Sequence, residues 1–162
     1  MGVSGSGKST IAAALAKKLS WTFEDGDRFH PASNVAKMSA GLPLTDEDRW
    51  PWLRAIAEEI DRVCRAGGHV VIACSALKRT YRHVLVGDRS DVRIVFLSGS
   101  RSLIAERIAH RKGHFMPLDL LDSQFRTLEA PQANEDPITV SIDAPVETVV
   151  KNIVAQLGNS HP

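Results

Sequence analysis

The first ten residues of this 162-residue chain contain the pattern G-x-x-x-x-G-K-[ST], which occupies residues 2–9. In this pattern the glycines allow consecutive backbone N–H groups to point inward at phosphate oxygens. Lys8 can reach the terminal phosphates as a mobile positive charge, and the hydroxyl of Ser9 can ligate Mg²⁺. The predicted nucleotide-binding residues are Gly2, Val3, Ser4, Gly5, Ser6, Gly7, Lys8, Ser9 and Thr10.

The alternative for this stretch is a flexible leader rich in glycine and serine. Residues 9–19 are strong helix formers, however, and a helix N-terminus directly after the loop favours an anion. All eight positions of the pattern are filled and the required helix follows, so we interpret the stretch as a phosphate-binding loop.

An acidic turn, Asp25-Gly26-Asp27, follows a short predicted strand at residues 21–24. Ligands of open parallel sheets bind beyond the carboxyl ends of the strands, so we expect both carboxylates beside the phosphates. If the turn continues in extended form, the two side chains lie on the same side. We predict that Asp25 belongs to the Mg²⁺ shell and that Asp27 accepts the proton of an attacking hydroxyl. The alternative is an ordinary surface turn.

Strands alternate with helices along the rest of the chain. Apolar runs predict strands at residues 69–74, 92–97 and 138–142, and helical periodicity predicts helices at residues 52–65, 81–86, 102–110 and 146–157. Thr45 is a candidate N-cap of a helix that begins with the acidic residues 46–48 and continues into residues 52–65. Residues 111–131 carry few core signals. The pattern predicts one three-layer α/β/α domain over residues 1–162, with a parallel sheet.

Only Met1 precedes the phosphate loop, whereas such a loop normally follows a buried strand at the centre of the sheet. We therefore expect that the sequence lacks the first, central strand, a loss of about six to ten apolar residues.

Charge and cysteine content restrict the possible partners. Lysine and arginine number 20 and aspartate and glutamate 19, so net charge offers no argument for binding nucleic acid or a membrane. Cys64 and Cys74 lie in apolar contexts, which favours reduced thiols and a cytoplasmic protein. No apolar run approaches the length of a membrane span. We expect a small-molecule partner.

Several motifs in order resemble one family. They are D-G-D-R-F-H-P-A-S-N at 25–34, K-M at 37–38, G-L-P-L at 41–44, D-E-D-R at 46–49, P-W-L at 51–53, C-S-A-L-K at 74–78, Y-R at 81–82, R-K-G-H-F-M at 111–116, Q-F at 124–125 and T-L-E at 127–129, with Pro131. Their order and spacing, over residues 2 to about 145, resemble the bacterial and animal gluconate kinases of the shikimate-kinase-like group. This resemblance implies ATP-dependent phosphorylation of D-gluconate at its terminal hydroxyl by a homodimeric enzyme.

Gluconate offers a carboxylate and a row of hydroxyls, so its pocket needs a cation and several hydrogen-bonding groups. Arg49 is the first candidate for the carboxylate, because a guanidinium can bind it with two parallel hydrogen bonds. The alternative is an ion pair of Arg49 with Asp46 or Asp48.

His30, Lys78 and Arg82 are the next candidates for hydroxyls, the carboxylate or the transferred phosphoryl group. Lys78 follows a predicted buried strand, which favours a functional position. The alternative for Arg82 is a place on a solvated helix face.

Arg107 and Arg111 are four residues apart and therefore share a helix face. In the related kinases the corresponding segment, here about residues 105–131, is a helical lid whose arginines close over the phosphates and exclude water. The resemblance implies that both arginines act in catalysis and that His114 contributes to substrate binding. The alternative is a solvated amphipathic helix.

Two other functions fit parts of the pattern. A shikimate kinase or nucleoside monophosphate kinase shares the loop and the lid, but lacks stretches like D-G-D-x-x-H-P and C-S-A-L-K. A regulatory nucleotide-binding module would need neither the acidic pair nor the lid arginines. We therefore predict a gluconate kinase that uses ATP and Mg²⁺.

Overall fold

The computed structural model describes residues 1–110 and 118–158, which form parallel strands covered by helices. The helices are α1 (Lys8–Leu19), α2 (Ala32–Ser39), α3 (Asp46–Arg65), α4 (Arg79–Val86), α5 (Arg101–Ala109), α6 (Leu118–Thr127) and α7 (Val146–Gly158). The strands are β1 (Thr22–Asp25), β2 (Val70–Ala73), β3 (Val95–Ser98) and β4 (Ile138–Ser141), and short 3₁₀ helices span Gly26–Phe29 and Ala133–Glu135. Within these ranges, no helix is both long and apolar enough to cross a bilayer.

The strands form two parallel pairs on either side of the first residues of the chain. β1 pairs with β2, and β3 pairs with β4. Between the pairs, the Met1 amino group donates to the Val95 carbonyl (2.5 Å) and Leu97 N–H donates to the Met1 carbonyl (3.0 Å). Gly2 N–H donates to the Ser75 carbonyl on the other side (3.2 Å). The predicted parallel sheet is thus two strand pairs joined through Met1 and Gly2, because so short a segment offers too few backbone groups for a ladder.

Two apolar clusters hold the helices against these strands. One joins α1, α5, α6 and α7 to β3 and β4, with Leu15, Ile104 and Ile153 among its buried members. The other joins α3 and α4 beside β2, with Trp52 and Leu53 among its buried members. Buried apolar surface of this kind contributes most of the stability of a domain.

Helix α3 begins at Asp46, as the Thr45 cap and the acidic turn after it predict. Thr45 is its N-cap, as predicted: Asp48 N–H donates to Thr45 Oγ1 (3.3 Å), and Thr45 N–H donates to Asp48 Oδ2 (2.9 Å). This reciprocal capping box starts the helix at Asp46 and carries it through Pro51. The loop before it therefore ends where the acidic first turn begins.

Helix α6 lies in the segment predicted to be a helical lid, where the sequence carries few core signals, and it contributes to the core. Leu121 has no exposed surface and packs in the cluster with β3 and β4. This part of the predicted lid is therefore anchored to the core through Leu121.

We expect the substitution Leu121→Ala to lower the free energy of unfolding by about 2–5 kcal/mol, because it leaves a cavity in a packed cluster. Leu120 is the matched control: it is 46 % exposed on the same helix, and Leu120→Ala should change stability by less than about 0.5 kcal/mol. Urea unfolding followed by circular dichroism measures both. Equal effects of the two substitutions would contradict the packing described for α6.

Candidate active site

The phosphate loop turns back on itself before α1. Lys8 Nζ donates to the Val3 carbonyl (2.9 Å), and Ser6 N–H donates to the same oxygen (3.2 Å). Burial lowers the pKa of Lys8, and the carboxylates of Asp27 and Asp25 oppose that shift. Gly5 has φ +80°, and a Cβ there would lie 2.7 Å from the Ile108 side chain. Only glycine fits between the loop and α5.

The acidic turn forms a 3₁₀ helix instead of the extended form expected. Gly26 is packed so closely that a Cβ would lie 2.5 Å from the Ala73 carbonyl, and the Gly26 carbonyl accepts a hydrogen bond from Trp52 Nε1 (2.7 Å). These contacts turn the chain immediately after β1. As a result the two aspartates have different surroundings.

The Asp25 carboxylate is joined to the phosphate loop. Its Oδ2 accepts a hydrogen bond from Ser9 Oγ (3.0 Å), and its Oδ1 accepts from Asp27 N–H (3.1 Å). The Asp27 side chain is 85 % exposed, and its Oδ1 lies 4.0 Å from His30 Nε2. Asp25 is therefore engaged with Ser9, whereas the Asp27 carboxylate is open to a ligand.

Lys78 and Arg49 both surround the carboxylate of Asp46. Lys78 Nζ lies 2.9 and 2.7 Å from its two oxygens, and Tyr81 Oη donates to Oδ1 (2.5 Å). Arg49 Nη1 lies 3.9 Å from Oδ1 and donates to the Leu44 carbonyl (2.5 Å). Hydrogen bonds from Lys78 and Tyr81 hold the pKa of Asp46 below its usual range. Arg49 therefore forms an ion pair with Asp46, one of the two alternatives, at a distance too long for a hydrogen bond.

Arg82 lies in neither of the expected environments. It is 2 % exposed, its Nε and Nη2 donate to the Glu135 carboxylate (2.6 and 2.9 Å), and its Nη1 donates to the carbonyls of Ala76, Leu77 and Glu129. All three nitrogens are thus bonded to protein oxygens. Arg82 ties α4 to the segment after α6, and we therefore omit it from the substrate site.

The phosphate loop also borders a cleft of about 340 Å³. Gly7 of the loop and Arg107 of α5 line it, together with Ala144 and Pro145, which follow β4. Arg107 Nη2 donates to the Ile142 carbonyl at the edge of this cleft (2.6 Å). The structure thus brings Arg107 next to the phosphate loop, whereas Arg111 and His114 lie outside the described residues.

Gln124 of α6 contacts the phosphate loop, a role that the sequence did not reveal. Ser4 N–H donates to Gln124 Oε1 (2.6 Å), and Gln124 Nε2 donates to Ser4 Oγ (3.1 Å). Both groups of the amide are therefore used on a single loop residue. The two residues are 120 positions apart, so no local pattern relates them. The only signal in the sequence was the Q-F motif at 124–125.

The phosphate loop at a helix N-terminus, the parallel strands covered by helices and the acidic pair beside the loop define a P-loop kinase. A family model described as "AAA domain" matches residues 1–131. A gluconokinase of Gluconobacter oxydans (strain 621H) is 46 % identical over 154 residues, which cover 95 % of this chain and 86 % of the relative. The chain belongs to the gluconokinase family.

Solved structures agree with this placement. The crystal structure of a gluconokinase from Sinorhizobium meliloti 1021 matches with a TM-score of 0.89 and 46 % identity, over 98 % of this chain and 89 % of that one. A shikimate kinase from Aquifex aeolicus matches with a TM-score of 0.64 and 21 % identity, over 98 % and 94 % of the two chains, which shows a shared fold alone.

We expect Gln124→Ala to weaken nucleotide binding about fivefold or more, because the loop loses two hydrogen bonds of about 0.5–1.5 kcal/mol each. Gln156→Ala, on the exposed side of α7, is the matched control and should leave affinity unchanged. Isothermal titration of both variants with ADP measures the difference. Unchanged affinity in Gln124→Ala would show that the contact does not support the loop.

The two cysteines should differ in reactivity. Burial raises the pKa of the Cys74 thiol to about 11, whereas Cys64 is exposed. Because the thiolate is the reactive form and Cys74 stays protonated well above neutral pH, we expect iodoacetamide to modify Cys64 in the native protein and Cys74 only after denaturation. Peptide mass spectrometry before and after unfolding tests this. Equal labelling in the native state would contradict it.

Proposed function

We propose that this protein transfers the γ-phosphoryl group of ATP to the terminal hydroxyl of D-gluconate, giving 6-phosphogluconate and ADP. The observation that carries the proposal is the division of the acidic pair, with Asp25 joined to the phosphate loop and Asp27 free beside it. A protein that only held nucleotide would need no second carboxylate at this place. The names of the relatives, gluconokinases at 46 % identity, support the choice of acceptor.

In the proposed reaction, the acceptor's hydroxyl oxygen bonds to the γ-phosphorus while the bond from that phosphorus to the bridging oxygen breaks, and ADP leaves. The hydroxyl proton passes to the Asp27 carboxylate. Lys8 and the loop N–H groups stabilise the charge on the phosphates. Arg107 is close enough to the loop to contribute to this stabilisation, and the cleft beside it accommodates the adenine between the loop and Pro145.

Mg²⁺ fits the oxygen ligands available at the loop. The Ser9 hydroxyl and the Asp25 carboxylate lie 3.0 Å apart, and both are hard donors of the kind that this ion prefers. Among the described residues no group of three acidic, histidine or cysteine side chains could hold a metal alone. That suits an ion held mainly by substrate phosphates and water, which would neutralise phosphate charge when bound.

For the substrate carboxylate we propose Arg49 and Lys78, which lie together near the Tyr81 ring. Both are partly exposed, with 29 % and 31 % of their side-chain surface accessible, so a ligand can reach them. The Asp46 carboxylate already pairs with Lys78, so the carboxylate of a bound substrate would share Lys78 and Arg49 with Asp46. His30, with its imidazole near Asp27, is the proposed ligand for the hydroxyls.

We further propose that residues 105–131 form the lid, with Arg111 and His114 contributing to the closed site. The contact of Gln124 with Ser4 supports this, because it links the end of that segment to the phosphate loop.

The proposed enzyme is a cytoplasmic homodimer. The exposed apolar side chains of Val35, Met38 and Leu42 offer a surface that a second copy would cover.

The reaction is tested by ADP release with ATP and Mg²⁺ in the presence of gluconate, shikimate, a nucleoside monophosphate or no acceptor. We expect release with gluconate alone. Lys8→Ala and Asp27→Asn should each lower kcat by about 10² or more, because they remove charge stabilisation and the proton acceptor.

The matched controls are Lys18→Ala on the exposed face of α1 and Asp88→Asn in an exposed turn, both with unchanged rates expected. Circular dichroism verifies that each variant is folded. ADP release with every acceptor, or with shikimate alone, would overturn the choice of gluconate. Near-normal rates in Asp27→Asn would remove that residue from its proposed role.

A further inference from the structure

His30 and Asn34 form a buried polar pair next to Asp27. The His30 side chain is 5 % exposed and stacks on Trp52, with ring centroids 4.3 Å apart and an angle of 14° between the planes. Asn34, in the first turn of α2, is 1 % exposed. A buried amide must satisfy its hydrogen bonds inside the protein, so the partners of Asn34 reveal how it is oriented.

Those partners settle which nitrogen of His30 carries the proton. Asn34 Nδ2 lies 2.8 Å from the Asp48 carbonyl oxygen, which can only accept, so the amide NH₂ group must point there. The same nitrogen lies 3.2 Å from His30 Nδ1. Because an amide NH₂ cannot accept a hydrogen bond, Nδ1 must be the acceptor. In neutral His30 the proton therefore sits on Nε2.

His30 Nε2 faces Asp27 Oδ1 across 4.0 Å, which is too long for a direct hydrogen bond. An oxygen atom placed between them can lie about 2.8 Å from both. Such an oxygen would accept a hydrogen bond from Nε2–H and donate its own proton to the carboxylate. A hydroxyl group satisfies both conditions, and a carbonyl or carboxylate oxygen does not.

We propose that Asn34 is a positioning residue that fixes His30 in its Nε2–H form, so that His30 and Asp27 together hold the reacting hydroxyl of the acceptor. The identity of that hydroxyl rests on the proposed function, but the state of the imidazole does not. His30 donates through Nε2 and orients the oxygen, and Asp27 takes the proton. Asn34 acts only through His30.

The charged groups around His30 are consistent with a neutral imidazole. Burial lowers the pKa of His30, the nearby Asp27 carboxylate raises it, and Arg49 of α3 lowers it further. Asp48 accepts a hydrogen bond from Asn34 through its backbone carbonyl. Its carboxylate is paired with Lys37 of α2, whose Nζ lies 2.7 and 2.8 Å from the two oxygens. Trp52, on the face of the ring, carries no charge.

The first test is the tautomer itself, read from long-range ¹H–¹⁵N correlations of His30 in the wild-type protein without substrate. We expect a protonated Nε2 and an unprotonated Nδ1. A proton on Nδ1 would overturn the proposal. Because no acceptor is present, this result is independent of whether gluconate is phosphorylated.

The second test is Asn34→Asp, whose carboxylate can only accept. It favours a proton on Nδ1 and raises the pKa of His30. At acidic pH the doubly protonated ring still donates through Nε2. As pH rises through the raised pKa, Nε2 loses its proton and kcat should fall about tenfold relative to wild type. Asn152→Asp, exposed on α7, adds the same charge and should show no such pH dependence.

A merely structural role for Asn34 predicts a different result, namely a loss of kcat by the same factor at every pH, with the tautomer unchanged. That result would overturn the proposal. If Asn34→Asp does not fold, His30→Gln and His30→Glu replace it. Glutamine can donate a hydrogen bond and glutamate cannot, so we expect kcat to be about tenfold higher in His30→Gln. Equal rates would overturn the proposal.

Discussion

The conformation of residues 2–9 is the constraint on which the rest of the structure depends. A loop that points N–H groups at a ligand keeps few hydrogen bonds within itself, here from Ser6 N–H to the Val3 carbonyl, so other parts of the chain must also hold it. Ser75 holds Gly2 from the end of β2, Gln124 holds Ser4 from α6, and Asp25 holds Ser9 from the end of β1. Each support comes from a different element, so the loop keeps its shape only if all of them are in place.

Much of the fold could be predicted from the sequence because its signals are local. The apolar runs at β2 and β4 and the helical periodicity of α1 and α7 each lie within one segment, and their positions agree with the structure to within a few residues. The capping box at Thr45 is equally local. Helix α6 lies in the segment predicted to be helical, but its anchoring to the core was not predicted, because the burial of Leu121 depends on contact with distant strands.

The site was predictable where the partners are close to a motif, and not where they are distant. The hydrogen bond of Ser9 with Asp25 joins two motifs that the topology places at one sheet edge. The ion pair of Arg82 with Glu135, 53 positions away, depends on how two remote segments pack. A basic residue in a family motif therefore indicated function for Arg82, although its contacts are structural.

The contact between Ser4 and Gln124 also bears on how the chain matures. It joins residues 120 positions apart, and closing so long a loop costs conformational entropy before the contact forms. Pairings of this kind complete late in folding. During synthesis, the phosphate loop can therefore reach its final form only after residue 124 has emerged and α6 has docked. Nucleotide then binds the finished domain selectively and stabilises it over its partly folded precursors.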